Sequence, residues 1–266
     1  MFRNMIYRLA RKFSNFVIDG AGSGMRNEEF LEKEIVRWKS SPKRIMQING
    51  LRYYDGDHDI LKRRRTMIGE NGELQVVENL PNNHIVNNQY AKMVNQKANY
   101  LFGQPFVIET ENKQYGDLLK KVFNKQFMRT LKNSGKEVYN SGICWLHPYY
   151  DDAGHFSFRL FSGYEILPFW KDNDHTTLDM AVRLYLVTSY KGTTPVITEK
   201  VEVYDTEGVH KFIFDHGTLI PDRANDGETD CCHAIGTGEN GEVVPVNWQR
   251  VPLIPLKANE SEMPLL

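Results

Sequence analysis

The segment from Leu80 to Pro105 constrains the fold more than any other part of the chain. Apolar residues recur there at steps of three and four, the spacing of one face of an amphipathic helix. The pair Asn82-Asn83 is expected to cap the start of this helix, and Gly103 to end it in a left-handed conformation. Pro105 then prevents the helix from continuing. The sequence therefore predicts one long, well-delimited helix here.

The polar face of this predicted helix is rich in amides and almost free of charge. It carries Asn87, Asn88, Gln89, Lys92, Asn95, Gln96 and Asn99. Such a face can simply be solvated. It can also press against another subunit, because amides form hydrogen bonds without the desolvation penalty of charges. Asn87, Asn88, Asn95 and Asn99 are therefore a candidate subunit interface, and both interpretations stay open.

A basic run is the second candidate contact surface, and it consists of Lys62, Arg63, Arg64 and Arg65. A solvated face is the ordinary explanation of such a run. The alternatives are contact with acidic groups of a neighbouring subunit or with DNA phosphate.

Composition narrows the class of protein. The chain has 266 residues, 41% of them hydrophobic, which is enough for one large or two small cores. A formal charge of −1 gives no global basic field for coating nucleic acid. Three cysteines are too few for a disulfide framework and fit a reducing compartment. No apolar run reaches the length of a membrane span, so we expect no membrane partner.

The order of elements predicts an α+β fold, with helices first and an antiparallel, meander-like sheet second. Residues 1–25 are expected to form a basic amphipathic helix and a glycine-rich linker, and residues 26–266 one domain. A helix over 28–40 is followed by a helical turn over 43–49, a turn at Asn49-Gly50 and a strand over 51–54. A ribbon over 65–77, a strand over 106–110 and helices over 116–124 and 126–140 come next. From Ile143 onward, alternating apolar residues predict strands.

No catalytic or metal-binding constellation is evident. Cys144 and His147 are three apart on a predicted strand and would point to opposite faces. The aspartates of the segment 55–59 have the spacing that opens a calcium loop, but Ile60 stands where that loop needs glycine. They are better interpreted as turn formers and salt-bridge partners. The adjacent Cys231-Cys232-His233 lacks the spacing of a zinc site. We therefore expect no enzyme, cofactor or metal.

Two segments carry a family resemblance. RYYDGDHDIL at 52–61, followed by NNHIVNNQYAKMVNQKANYLFGQP at 82–105, resembles the N-terminal half of tailed-bacteriophage portal proteins of the SPP1 type. The resemblance extends over roughly residues 35–266 and implies the mixed helix–sheet wing region of a portal subunit. The segments 254–257 and 259–265 match the part that leads into the stem helix in that family. The stem, clip, tunnel loop and crown would then lie outside this chain, whose end is expected to be a truncation point.

The resemblance also implies a function. Portal subunits form a ring, dodecameric in the virion, at one capsid vertex, with a central channel for packaging and ejection of double-stranded DNA. Its expected partners are further copies of itself, terminase, head–tail adaptor, scaffold and major capsid proteins, first in the host cytoplasm and then in the virion. The alternatives are a non-ring interaction or adaptor module of a mobile element, and an unrecognised nuclease or hydrolase using scattered carboxylates.

Overall fold

The structure is a computed structural model that describes residues 27–77, 79, 81–151, 153–223, 229–238 and 241–266. The helix and linker predicted over residues 1–25 lie outside these residues. The chain folds as two compact units. The first holds the described residues up to Ile45 together with Cys144–Leu256, and the second holds Met46–Ile143 together with Lys257–Leu266. The domain boundary predicted after residue 25 stays a prediction.

The helical half of the chain comes first. In chain order it contains α1 (Asn27–Lys39), α2 (Pro42–Tyr54), a 3₁₀ turn (Asp59–Lys62), β1 (Thr66–Ile68), β2 (Leu74–Val76), α3 (Gln89–Phe102), α4 (Lys113–Val122) and α5 (Lys125–Ser141). The remaining elements are β3 (Ile143–Tyr150), β4 (Phe156–Ser162), a 3₁₀ turn (Gly163–Glu165), β5 (Ile166–Trp170), β6 (Leu178–Lys191), β7 (Thr194–Tyr204), β8 (Val209–Asp215), β9 (Thr218–Pro221), β10 (Asp230–Cys231), β11 (Ala234–Thr237), β12 (Val243–Val246) and β13 (Ile254–Lys257).

In the first unit, α1 covers an antiparallel six-stranded sheet. The sheet has the order β10-β8-β7-β6-β5, and β9 pairs with β8. Leu31 and Ile35, one helical turn apart on α1, are buried in a cluster with apolar side chains of the sheet. The α1 side chains Glu32 and Lys39 add polar contacts, since Glu32 accepts a hydrogen bond from the Leu219 amide and Lys39 pairs with Glu199 at 2.7 Å. A three-stranded sheet, β13-β3-β4, and the ribbon β11-β12 complete this unit.

In the second unit, α3 and α5 pack closely, because small residues let the helices approach. Val94 and Ala98 of α3 are fully buried. A Cβ on Gly135 of α5 would lie 2.5 Å from the ring of Phe102. The contact at Gly50 of α2 is closer still, since a Cβ there would lie 1.9 Å from the backbone oxygen of Asn140.

The chain returns to this helical unit at its end. Gly142 ends α5 in a left-handed conformation, with φ of 78°. Its carbonyl accepts a hydrogen bond from the Ala258 amide, and the Leu265 amide donates to Tyr139. The segment 257–266 is thereby fixed against the end of α5 by backbone hydrogen bonds.

Much of the predicted architecture is confirmed, including the α+β fold class with antiparallel sheets. The ribbon β1-β2 forms around Gly72, whose φ is 78°. The two helices predicted before Ile143 and the strands predicted after it are also present. The sequence pattern predicts strands over 180–188 and 200–204, and the hairpin β6-β7 extends beyond both, because its outer part is exposed and polar residues there weaken the alternating pattern.

Several local predictions are wrong. The long helix begins at Gln89 and not near Asn82, and Gly103 has an ordinary right-handed conformation, with φ of −74°. The predicted turn at Asn49-Gly50 and the strand after it are part of the continuous helix α2. Gly50 allows the backbone at Asn140 to approach α2 closely. A local sequence pattern cannot distinguish this role from that of a glycine in a turn. The segment 106–110 forms no strand.

Candidate assembly surfaces

The end of α2 is held by a compact set of polar contacts. Gly56 turns the chain with φ of 90°. Asp59 then receives a hydrogen bond from the Tyr53 hydroxyl at 2.8 Å and an ion pair from Arg52 at 2.7 Å. These two contacts, the tyrosine's first, hold the pKa of Asp59 below its ordinary value. The His58 ring stacks on Tyr53 with centroids 4.7 Å apart.

Asp57 likewise pairs with Lys62 at 3.3 Å. Asp57 and Asp59 are therefore salt-bridge partners, as predicted. In the part of the chain that the structure describes, no group of three or more His, Cys, Asp or Glu side chains is arranged to hold a metal ion. No helix among the described residues is long and apolar enough to cross a membrane.

Asn88 joins two helices through one side chain. Its Oδ1 accepts a hydrogen bond from the Ala91 amide at 2.9 Å and so caps the start of α3. Its Nδ2 donates to the carbonyls of Tyr53 at 3.0 Å and Tyr54 at 2.9 Å, at the end of α2. Both helix ends leave backbone groups without intrahelical partners, and this one amide satisfies groups on each.

The other three asparagines of the predicted interface divide between the fold and the surface. Asn95 is half-buried and accepts a hydrogen bond from the Tyr54 hydroxyl at 3.0 Å. Asn87 and Asn99 are exposed. The subunit-interface interpretation stays a prediction, and Asn87 and Asn99 are the members with the most surface to offer a neighbour.

The basic run connects the first 3₁₀ turn to β1. Lys62 is engaged by Asp57, whereas Arg63, Arg64 and Arg65 are exposed and form no ion pair within the described residues. The backbone of the run is nevertheless fixed. The Asn82 side chain donates to the Arg63 carbonyl at 3.3 Å, and the Val77 amide donates to the Arg65 carbonyl at 2.9 Å. Three guanidinium groups therefore project from an ordered segment.

Next to this run, the ribbon β1-β2 has both faces exposed. Its large apolar side chains are more than half exposed, and these are Met67, Ile68, Leu74 and Val76. Isolated two-stranded ribbons are marginally stable in water, and clustered exposed apolar groups mark contact sites. Cationic and apolar side chains are thus adjacent along the sequence from 63 to 76.

Comparison with known proteins gives the family. The family model described as phage portal protein, SPP1 Gp6-like, matches residues 37–265. The chain belongs to this family. The match includes both segments from which the sequence resemblance was inferred, and that prediction is confirmed.

Two portal proteins are among the relatives of this chain. The portal protein of Bacillus phage SPP1 is 30% identical over 214 residues, which cover 80% of this chain and 41% of the relative. The portal protein of Clostridium phage phiCD119 is 27% identical over 143 residues, which cover 50% of this chain and 31% of the relative. The matched region therefore spans less than half the length of either relative.

A second basic surface of this portal-family chain was missed by the sequence analysis. Lys125, Arg129, Lys132 and Lys136 lie on α5 at successive steps of four, three and four residues. Unlike the run at 62–65, these cations are not consecutive in the sequence. Their helical spacing is the signal by which the sequence indicates them.

The first unit of this portal-family chain also contains a buried histidine that lies between two aspartates. His210 lies between Asp230, 2.6 Å from its Nδ1, and Asp205, 3.5 Å from its Nε2. Burial alone would lower the pKa of His210, but the charges of both aspartates and the hydrogen bond with Asp230 raise it to about 9. The imidazole is therefore a cation at neutral pH, and nothing in the sequence pattern indicated this.

Proposed function

We propose that the chain is part of a portal ring subunit at the capsid vertex of a phage or prophage virion. Double-stranded DNA would pass through the channel of the ring during packaging and ejection. The ring would also serve as a platform for terminase and for head–tail adaptor, scaffold and major capsid proteins after assembly in the host cytoplasm. The observation that carries this proposal is the family match over residues 37–265.

The role is structural and not enzymatic. Two surface features of the second unit support it. A closed ring with head-to-tail contacts needs two different, complementary patches on each subunit. The exposed Asn87 and Asn99 of α3 are one candidate, and the ordered run from Lys62 to Arg65 with its neighbouring apolar ribbon is the other.

The experiment is native mass spectrometry of residues 1–266 alongside the complete gene product, which is a version extended past Leu266 if the gene encodes one. We expect the complete product to form rings. A monomeric 266-residue chain would then place the dominant ring contacts outside it. A complete product that stays monomeric at high concentration would refute the ring and favour a stand-alone adaptor module.

The basic run gives a sharper prediction through Arg64→Glu. If the run contacts a neighbouring subunit, the charge reversal should reduce ring formation by the complete product. If it contacts phosphate, rings should form normally while DNA retention weakens, most clearly at low salt. Lys191→Glu makes the same charge change at an exposed position of β6, away from both candidate patches, and is the control. Unchanged assembly and unchanged DNA retention would remove the run from both roles.

A further inference from the structure

Helix α5 presents a straight row of cations on the face opposite to its buried side. Lys125, Arg129, Lys132 and Lys136 fall within an arc of about 60° at 100° per residue, and the row is about 16 Å long. The buried residues Ser134 and Val138 lie on the other side of the helix, and the buried Asn140 adjoins the C-terminal end of the row. Lys125 and Arg129 are exposed, and Lys132 and Lys136 are half-buried. The first two cations are therefore open to solvent, and the other two are partly open to it.

The cations of this row are not neutralised within the described residues. No carboxylate there forms an ion pair with any of the four. The local sequence is also strongly unbalanced, because residues 113–136 contain seven lysines and arginines and a single acid, Asp117. That acid lies on α4, 3.5 Å from Lys120. The row thus concentrates positive charge in a chain with a formal charge of −1.

The neighbouring side chains favour an anionic polymer over a protein surface. Gln126 and Asn133, both exposed, flank the row on one side and can donate amide hydrogen bonds. None of the large apolar side chains of α5 is exposed. Protein interfaces usually contain apolar or aromatic anchors and are depleted in lysine. Phosphate backbones, in contrast, are contacted by lysine, arginine and side-chain amides.

We propose that this face of α5 binds the phosphate backbone of double-stranded DNA without reading its sequence. A duplex carries one charge per about 1.7 Å of its axis, so the length of the row corresponds to about ten phosphates. Four rigidly spaced cations on one helix face can follow such a charged ridge. This surface belongs to a single subunit. It is distinct from the basic run at 62–65, and binding there requires no ring.

The test measures anisotropy of a fluorescent 24-base-pair duplex titrated with residues 1–266 at several salt concentrations. In the test variant, Lys125, Arg129, Lys132 and Lys136 are all replaced by glutamine. Glutamine has a similar helix propensity, and circular dichroism checks that the helix is kept. The control variant removes four exposed charges of the first unit, and its replacements are Arg37→Gln, Lys171→Gln, Lys191→Gln and Arg250→Gln.

The row variant should bind the duplex at least about tenfold more weakly at low salt, while the control binds nearly as well as the parent. The plot of log affinity against log salt should also lose slope, by about 0.9 for each phosphate contact removed. Equal losses in both variants would show a net-charge effect only and overturn the proposal. An unchanged slope, or equally tight binding of poly-L-glutamate to the parent, would overturn it as well. Ring formation is measured in a separate experiment. A failure to form rings would therefore not change how the DNA-binding results are interpreted.

Discussion

Asn88→Ala should destabilise the helical unit, because one side chain serves two helix ends. The substitution removes the acceptor for the Ala91 amide and both donors to the carbonyls of Tyr53 and Tyr54. Loss of an asparagine cap costs about 1 kcal/mol. Each lost hydrogen bond to a helix carbonyl adds about 0.5–1 kcal/mol, since water can reach this half-buried site. The expected loss in the free energy of unfolding is therefore about 2–3 kcal/mol.

A second substitution separates the loss of the α3 cap from the loss of the hydrogen bonds to the end of α2. Asn88→Asp keeps a capping oxygen for α3 but replaces the donor by a carboxylate facing two carbonyls at the end of α2. A negative charge at a helix C-terminus is unfavourable. We therefore expect Asn88→Asp to be at least as destabilising as the alanine variant, although it is nearly isosteric.

Urea unfolding followed by far-ultraviolet circular dichroism measures the free energy of unfolding, and hydrogen exchange locates the change. Peptides from the end of α2 and the start of α3 should lose protection together. Asn99→Ala, at an exposed position on the same helix, should change the stability by less than about 0.5 kcal/mol. If Asn88→Asp were as stable as the parent, the two-helix role of this side chain would be refuted.

Two further predictions concern buried sites. The pKa of His210 is about 9 in the folded chain and near 6.5 when unfolded, so the imidazolium contributes up to about 3 kcal/mol to the free energy of unfolding. This contribution is complete below pH 6.5 and is lost as the pH rises through 9. Urea midpoints between pH 6 and 9.5 should fall less steeply in His210→Gln, and identical slopes would contradict this account. Gly50→Ala should lower stability by about 1–3 kcal/mol, because its Cβ would collide with the backbone at Asn140. Gly116→Ala, beside the side chain of Thr110, is the control, and equal midpoints for both variants would refute the steric argument.

The sequence pattern located most strands in the sheet half of this fold, but not the exposed outer part of the hairpin β6-β7. Runs rich in apolar and aromatic residues were enough to locate strands such as Ile143–Tyr150 and Val209–Asp215, although burial alternates along the second strand only. The helical half was harder, because its boundaries depend on contacts made far along the chain. Gly50 is preceded by asparagine and has the local signature of a turn. Its role is to admit the backbone of Asn140, ninety residues away.

The cap of α3 shows the same limitation of prediction from local sequence. The segment 82–88 offers four asparagines, and each has the chemistry of a helix cap. Asn88 is the one whose amide also meets the carbonyls at the end of α2, so a tertiary contact selects the start of the helix. The sequence could predict the kind of cap but not which asparagine provides it.

The same distinction separates residues that stabilise this portal-family chain from those available to another molecule. Asn88 and Asn95, like Arg52, have partners within their own unit, and substituting them should change stability first. Arg64 and Arg129 are exposed and form no ion pair within the described residues, so their charges remain available for an external anion. Residue type cannot make this distinction, because both groups contain arginine. An assembly or DNA-binding defect is therefore informative when it arises at a residue of the second kind and the free energy of unfolding is unchanged.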